Sequence, residues 1–456
     1  MIPLPLATVA EVVGGELVDE AAGAREVTGV TIDSRSAGPG SLFVALRGEH
    51  ADGHDYIDDA LGRGAAGALA RAGTTRGQAV VVDDPADALL GLGAWVRDTV
   101  DPHVVAITGS SGKTTTKDLV RAAVSAQRRV TANLGSYNNE LGVPLTCCEI
   151  EADTEVLVAE VGARGIGHIA AMCAVVRPDV AVVTNVGAAH LEMFTDLAGV
   201  ARAKSELVAS LTADGVAVLN ADDPLVLGMA SATDGRVVTY GTGEDADLRA
   251  TDIRTDALAR PTFTVRDVAV TVPLPGSHNV SNALAALAAA EACGVDLQAA
   301  ADALASAAVS RWRMELHHTA GGVTVLNDAY NANPSSMTAA VRTLAAMQAD
   351  GRRWAVLGHM AELGAGGDQA HERIGQLCAE LGLDGLVVTG ENARHIHAGA
   401  AEVGFPGLLL FAETPDDAVI ELGARLQPGD VVLVKASRSV GLERVAAALV
   451  RAEGSP

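Results

Sequence analysis

Short runs of aliphatic and β-branched residues, each closed by Gly, Asn or Asp, recur along this chain between longer helical stretches. Runs that are apolar at every position, and not only at alternate ones, predict parallel strands buried on both faces. The clearest are Val104–Ile107, Val156–Val161, Val180–Asn185 and Val216–Asn220. A block before them, to about residue 100, alternates short strands (Val27–Ile32, Leu42–Leu46, Gly67–Ala70, Ala79–Val82) with Gly-rich turns. Asp84-Pro85 and a helix over Ala86–Val100 close that block, and Asp101-Pro102 is a turn signal. From Leu248 to Val272 the pattern changes to alternation, in Phe263–Val272 above all, which predicts antiparallel strands added to the core. After about residue 314 the strand-and-helix alternation resumes, with Val323–Asn327, Trp354–Gly358, Leu386–Gly390, Leu408–Phe411 and Val431–Lys435 as strands.

The pattern makes the chain an α/β protein of three domains, drawn at 1–101, 102–312 and 313–456. At 456 residues it is too long for one compact core. Hydrophobic residues make up 49% and charged residues 20%, which is ordinary for a folded protein. Aromatic residues are only 3%, so the cores must be built from Ala, Val and Leu. The net charge of −24 argues against nucleic acid or an anionic membrane as partner, because both demand clustered Lys and Arg. A phosphorylated small molecule needs only one local positive site and stays open. The 5 cysteines show no Cys-x-x-Cys spacing and read as reduced thiols without structural zinc. The N-terminus lacks a basic segment followed by a long apolar one, and runs such as Ala283–Ala290 are too short to cross a bilayer. A cytoplasmic location is expected.

Candidate chemistry begins directly after the strand Val104–Ile107. Gly109-Ser110-Ser111-Gly112-Lys113-Thr114-Thr115 is a glycine turn that opens a helix. Such a turn aims backbone N–H groups and a helix dipole at one point, which favours phosphate. Lys113 can then reach the β- and γ-phosphates, and the Thr114 hydroxyl can meet Mg²⁺. The long form of this motif puts a further glycine six residues before the lysine, where this chain has Ile107, so the short form is present. The alternative is a glycine turn that merely caps a helix. ATP binding is the expectation.

The other candidates follow strand ends in the same way, as ligand sites in parallel sheets do. Glu160 lies in an apolar strand, where a carboxylate is costly unless it binds a cation such as Mg²⁺ or pairs with an arginine such as Arg164. His190 follows the strand ending at Asn185 and is either a metal contact or a structural histidine. Lys204 reads from its surroundings as a solvated lysine on a surface helix. Asn279 and Asn282 lie three apart near a helix start, where they could read the adenine edge or cap the helix together with Ser277. Arg313 and Asp328 flank the second junction, and Tyr330-Asn331-Ala332-Asn333-Pro334 is a polar turn after a strand. Charges at such a seam often grip a ligand that domain closure buries. No Gly-x-Gly-x-x-Gly follows any strand of the last block, which argues against a dinucleotide-binding oxidoreductase.

Taken in order, Gly109-x-x-Gly-Lys-Thr114, Glu160, Asn185 with His190, Lys204, His278-Asn-x-x-Asn282, Arg313 and Asp328 resemble the Mur ligases of peptidoglycan synthesis, over nearly the whole chain. Four stretches (134–146, 327–337, 356–364 and 432–439) resemble most the branch that adds a D-alanyl-D-alanine dipeptide, and the Asp-Asn-Pro-Arg motif of the sister that adds the third amino acid is absent. His359 stands where that family usually has an acidic residue, and Asn327-Asp328-Ala329 departs slightly from the commoner Asp-Asp-Ser.

The resemblance implies a small α/β UDP-binding domain, a central ATPase domain with a mostly parallel sheet, and a Rossmann-like C-terminal domain. It implies an ATP-dependent carbon–nitrogen ligase acting on UDP-N-acetylmuramoyl-tripeptide and D-alanyl-D-alanine through an acyl phosphate. By the same resemblance Thr114, Glu160, His190 and a carbamylated Lys204 would serve two Mg²⁺ sites. Asn279, Asn282, Arg313 and Asp328 would bind nucleotide with the glycine turn. Ser34, Arg35, Asn138, Asn139, Asn331 and Asn333 would contact the UDP-linked substrate, and the protein would be a monomer.

Overall fold

The computed structural model describes residues 1–48, 50–74, 76–133, 135–188, 193–194 and 196–451. Three sheets carry the architecture. The first has five strands in the order Glu16–Leu17, Ala79–Val81, Gly67–Ala70, Ser41–Val44 and Gly29–Thr31, parallel except for the first pair. The second has seven strands, all parallel, with His103–Thr108 between Val156–Glu160 and Val180–Val183. Every residue of Val156–Glu160 and Val180–Val183 is buried, as expected of parallel strands covered by helices on both faces. The chain leaves His103–Thr108 in one direction for Val130–Ala132 and Val156–Glu160, then in the other for Val180–Val183 and Val216–Asn220. The crevice outside the carboxyl end of such a strand is where open α/β sheets hold ligands.

The third sheet has six strands, with Val431–Lys435 between Thr324–Asn327 and Arg353–Gly358. Its edge strand Glu315–His318, antiparallel to Thr324–Asn327, has no apolar run and is not foreseen by the sequence pattern.

The alternating stretch near Phe263 resolves into a hairpin, Pro261–Val265 against Val268–Thr271, with Thr251–Thr255 as third strand. Its turn residues Arg266 and Asp267 both have positive φ, 44° and 69°, matching a two-residue turn whose twist suits the strands. Neither is glycine, so the turn shows in the sequence only as two consecutive polar residues that shift the phase of the alternation. Leu248–Arg249, at the start of the same stretch, instead extends the central sheet in parallel.

Helix Lys113–Val124 and the long helix His278–Ala292 cover one face of the central sheet. The second of these is buried almost all round, and its Ala-rich sequence lets it lie close to its neighbours. The other face shares a continuous core with the first block, through helices Pro85–Val100, Gly142–Cys148 and His168–Val176. The cores are mostly Ala, Val, Leu and Ile, with Trp354, Tyr240 and Phe43 as isolated large side chains. All five cysteines are free thiols. Burial pushes Cys147 and Cys378 up to about 12. No helix among the described residues is long and apolar enough to cross a membrane.

Candidate active site

The turn between His103–Thr108 and helix Lys113–Val124 is built by its neighbours. A side chain at Gly109 would stand 1.8 Å from the Thr184 hydroxyl, and one at Gly112 (φ +79°) 2.6 Å from Asn282 Oδ1. Both positions therefore demand glycine. Asn185 holds the loop from the adjacent strand end: its Oδ1 accepts from Ser111 N at 2.9 Å and its Nδ2 donates to Ser111 O at 3.1 Å. Ser110 exchanges hydrogen bonds with Gly187, donating to its carbonyl at 3.1 Å and accepting from its N–H at 2.9 Å. Lys113 Nζ donates to Gly109 O at 2.8 Å. Its pKa is pushed down by burial, against the pull of Glu160 and with the help of Arg313.

Glu160 is 1% exposed and is not paired with Arg164 in the way the arginine alternative would require. Its carboxylate accepts from the Thr114 hydroxyl and from Asn138 Nδ2, each at 2.6 Å. Glu160 is thus tied to the first turn of helix Lys113–Val124 and to the loop carrying Asn138. Asn139 acts locally, its Oδ1 accepting from Gly142 N at 2.9 Å.

Lys204 corrects the sequence reading. It lies on helix Leu197–Ala209 and is 5% exposed, because that helix packs its face against the central sheet. Burial, then the like charge of Lys113, holds its pKa well below the usual lysine range. Composition could not show this, since a helix face carrying Arg202 and Ser205 reads as solvated until its packing is known. His190 lies outside the described residues.

Asn279 and Asn282 are buried and tied into the protein: Asn282 Nδ2 donates to Asn279 Oδ1 (2.8 Å), and Asn279 Nδ2 to Pro275 O (2.8 Å). Asn282 Oδ1 also accepts from Thr116 at 3.2 Å, which fixes this helix to the one behind the glycine turn. Ser277 makes no side-chain cap. His278, which opens the same motif, lies beside them on this helix. Burial lowers its pKa to about 4, partly offset by Asp328 and reinforced by Lys435.

The third sheet supplies the opposite wall. Lys435, at the end of strand Val431–Lys435, pairs with Asp328 Oδ2 at 2.6 Å and donates to Asn331 O at 2.8 Å. A lysine closing an apolar strand was the available signal for it. Arg313 lies over the Tyr330 ring, 4.2 Å from its centroid, and among the described residues its buried Nε has no hydrogen-bond partner. Trp312 and Met314 on either side have φ of 62° and 52°, so the backbone carrying Arg313 is strained. Asn333 reaches across to the glycine turn, donating to Ser111 Oγ at 3.0 Å.

These groups line one cavity of about 1020 Å³, at the upper end of small-molecule sites (~300–1,000 Å³). Lys113, Lys204, Arg313 and Lys435 all face it, so a chain of net charge −24 concentrates cations here. Glu160, Asp328, Thr114, Thr115, Asn138, Asn139, Asn279, Asn282, Asn331 and Asn333 line it too. Ser34 and Arg35 do not: they lie on the first sheet's side, where Asp33 caps the short turn Ser34–Ser36 and binds the exposed Arg35 guanidinium at 2.8 Å. His359 is also outside the cavity, stacked on the buried His371 with ring centroids 5.0 Å apart. Such a cavity, with a glycine turn on one wall and cations on both, has the charge to hold anionic ligands.

Family models match three successive stretches: Mur ligase family, catalytic domain (26–92), Mur ligase middle domain (107–290), and Mur ligase, glutamate ligase domain (312–438). UDP-N-acetylmuramoyl-tripeptide–D-alanyl-D-alanine ligase of Mycobacterium tuberculosis (strain ATCC 25618 / H37Rv) is 41% identical, covering 99% of this chain and 98% of that protein. A crystal structure of MurF from Acinetobacter baumannii superposes with a TM-score of 0.87 at 31% identity, covering 98% and 99% of the two chains. MurF ligase from Thermotoga maritima, solved in complex with ADP, gives a TM-score of 0.79 at 30% identity over 92% and 96%.

Proposed function

The chain belongs to the Mur ligase family, and from that premise we propose the reaction for which this cavity is built. The protein is an ATP-dependent ligase that joins D-alanyl-D-alanine to UDP-N-acetylmuramoyl-tripeptide in cytoplasmic peptidoglycan synthesis. The observation that carries this reading is the single cavity in which the phosphate-facing turn, Glu160 and the Lys435–Asp328 wall meet.

A carboxylate is a poor electrophile. Its oxygen attacks the γ-phosphorus of ATP, the bond to the bridging oxygen of ADP breaks, and an acyl phosphate forms. The dipeptide amine then adds to the carbonyl carbon, and the tetrahedral intermediate expels phosphate as the amine loses its proton. Lys113 and the N–H groups of the glycine turn stabilise charge gathering on the transferred phosphoryl group. Arg313 and Lys435 face the same space from the third sheet and oppose charge on the nucleotide. Asn138 and Asn139, on the loop whose Asn138 donates to Glu160, are assigned to the UDP-linked peptide.

Thr114 and Glu160 are hard oxygen donors and fit Mg²⁺, which takes few protein ligands and completes its shell with phosphate and water. Bound there, Mg²⁺ neutralises phosphate charge. His190 and Lys204 are assigned to a second such site, with Lys204 as a carbamate formed when its neutral amine adds to CO₂ and loses a proton. Its burial and low pKa favour the neutral amine. Full activity of Lys204→Ala would contradict that role.

Ser34 and Arg35 on the first domain are assigned to the UDP moiety. Arg35→Ala is expected to raise KM for the UDP-linked substrate several-fold with kcat little changed. For domain limits of 1–101, 102–312 and 313–456 the support is that the matched stretches 26–92 and 107–290 fall inside the first two, while the third match, 312–438, begins one residue before the last. The direct test is phosphate release with ATP, Mg²⁺ and UDP-N-acetylmuramoyl-tripeptide. Release with D-alanyl-D-alanine, and none with single amino acids, is the expected result. Release only with a single amino acid on a shorter UDP-peptide would move the chain to a sister ligase.

A further inference from the structure

The turn Tyr330–Asn333 touches both substrate-handling parts of the central domain at once. The Tyr330 hydroxyl shares a hydrogen bond with Ser136 Oγ. Ser136 belongs to the loop whose Asn138 donates to Glu160, and Glu160 in turn accepts from Thr114 behind the glycine turn. Three residues on, Asn333 faces two ways. Its Oδ1 accepts from Ser336 N at 2.9 Å and caps helix Pro334–Ala346. Its Nδ2 donates to Ser111 Oγ at 3.0 Å and Ser110 O at 3.3 Å in the glycine turn. Next to it, Ser335 lies so close to Gly187 that a side chain there would stand 3.0 Å from its hydroxyl.

The turn itself is held rigidly. Lys435 fixes Asp328 and Asn331 O on one side, and the capping box fixes Asn333 on the other. A rigid turn that bridges two loops makes both contacts or neither. We propose that Tyr330 and Asn333 are positioning residues that couple nucleotide binding to binding of the UDP-linked peptide. This rests on the functional reading above. Whichever ligand first seats the third domain orders the other ligand's loop in advance, so the second ligand binds with less ordering left to do. The same arrangement assigns Asn333 to the glycine turn, where the resemblance had assigned it to substrate.

Binding of an ATP analogue with a methylene between the β- and γ-phosphorus is measured on the full chain by calorimetry, with and without UDP-N-acetylmuramoyl-tripeptide. The wild type is expected to bind the analogue about 10-fold tighter when the peptide is present. Tyr330→Phe keeps the ring under Arg313 and loses only the hydroxyl. Asn333→Ser keeps a helix cap and loses the reach to Ser111. Each is expected to cut the coupling to about 3-fold or less, and the pair to abolish it, so that affinity measured with the peptide present falls by a larger factor than affinity for the analogue alone. Retention of the wild-type coupling in both variants would overturn the proposal. So would equal losses with and without the peptide, which would make these residues ordinary ligand contacts. A wild type that binds the analogue but never the UDP-peptide would instead overturn the functional reading, and this inference with it. Unchanged melting temperatures separate these outcomes from misfolding.

Discussion

The central domain and the C-terminal domain face one cavity but build their walls differently. The central wall is mostly backbone, held by neighbouring polar side chains: Asn185 and Thr184 on the glycine turn, Asn282 behind it, Asn138 against Glu160. The opposite wall is side chains locked in charge pairs and stacks, with Lys435 on Asp328 and Arg313 on Tyr330. A backbone wall recognises phosphate through geometry and loses activity when Lys113 goes. A paired wall carries buried charge, so a lost partner costs stability as well.

The largest expected effect is on the backbone wall. Lys113→Ala is expected to lower kcat about 10³-fold, close to 4 kcal/mol, because phosphoryl transfer depends on charge stabilisation at that point. The melting temperature should stay within a few degrees of wild type. A comparable fall in stability would erase the contrast between the two walls.

On the other wall, Lys435→Ala leaves the Asp328 carboxylate without its cation in a largely buried setting. Breaking such a pair costs about 4 kcal/mol, readable in urea unfolding. Lys435→Met combined with Asp328→Asn should recover most of that stability and none of the activity. Failure of the combined variant to recover would mean that the pair contributes more than cancelled charge.

Between the walls, His278 gives a pH signature. Its folded pKa of about 4 lies below the ordinary histidine value of 6.5, so the unfolded chain binds the extra proton first. Stability then falls as pH drops from about 6.5 to 4, by about 3 kcal/mol from this group. His278→Gln should flatten that part of the curve. An unchanged slope would place the acid sensitivity elsewhere. The smallest expected effect is Thr116→Val, which removes the donor to Asn282 while keeping shape, at about 1 kcal/mol.

The same contrast explains what could be read in advance. The glycine turn was legible because its chemistry is written in consecutive residues, and Glu160 because a carboxylate in an apolar strand stands out. The parallel strands were legible for the same reason, their buried runs being uninterrupted. Lys204 was not legible, since its burial depends on how one helix lies on the sheet. Asn279 and Asn282 were expected near ligand, and the work of Asn185 and Asn282 in shaping the turn required the distances. Lys435 and Tyr330 act through partners about a hundred or more residues away, a relation that no local pattern records. The hairpin at Arg266 and Asp267 was hidden because two non-glycine residues adopt positive φ there.

The central claim is that phosphoryl transfer to the peptide carboxylate precedes amide formation in this one cavity. It is tested by labelling the reacting carboxylate of UDP-N-acetylmuramoyl-tripeptide with oxygen-18 and analysing the products of turnover with ATP and D-alanyl-D-alanine. An acyl phosphate requires one labelled oxygen to leave with each phosphate released. Unlabelled phosphate, with the departing labelled oxygen found in water or in AMP instead, would contradict the mechanism.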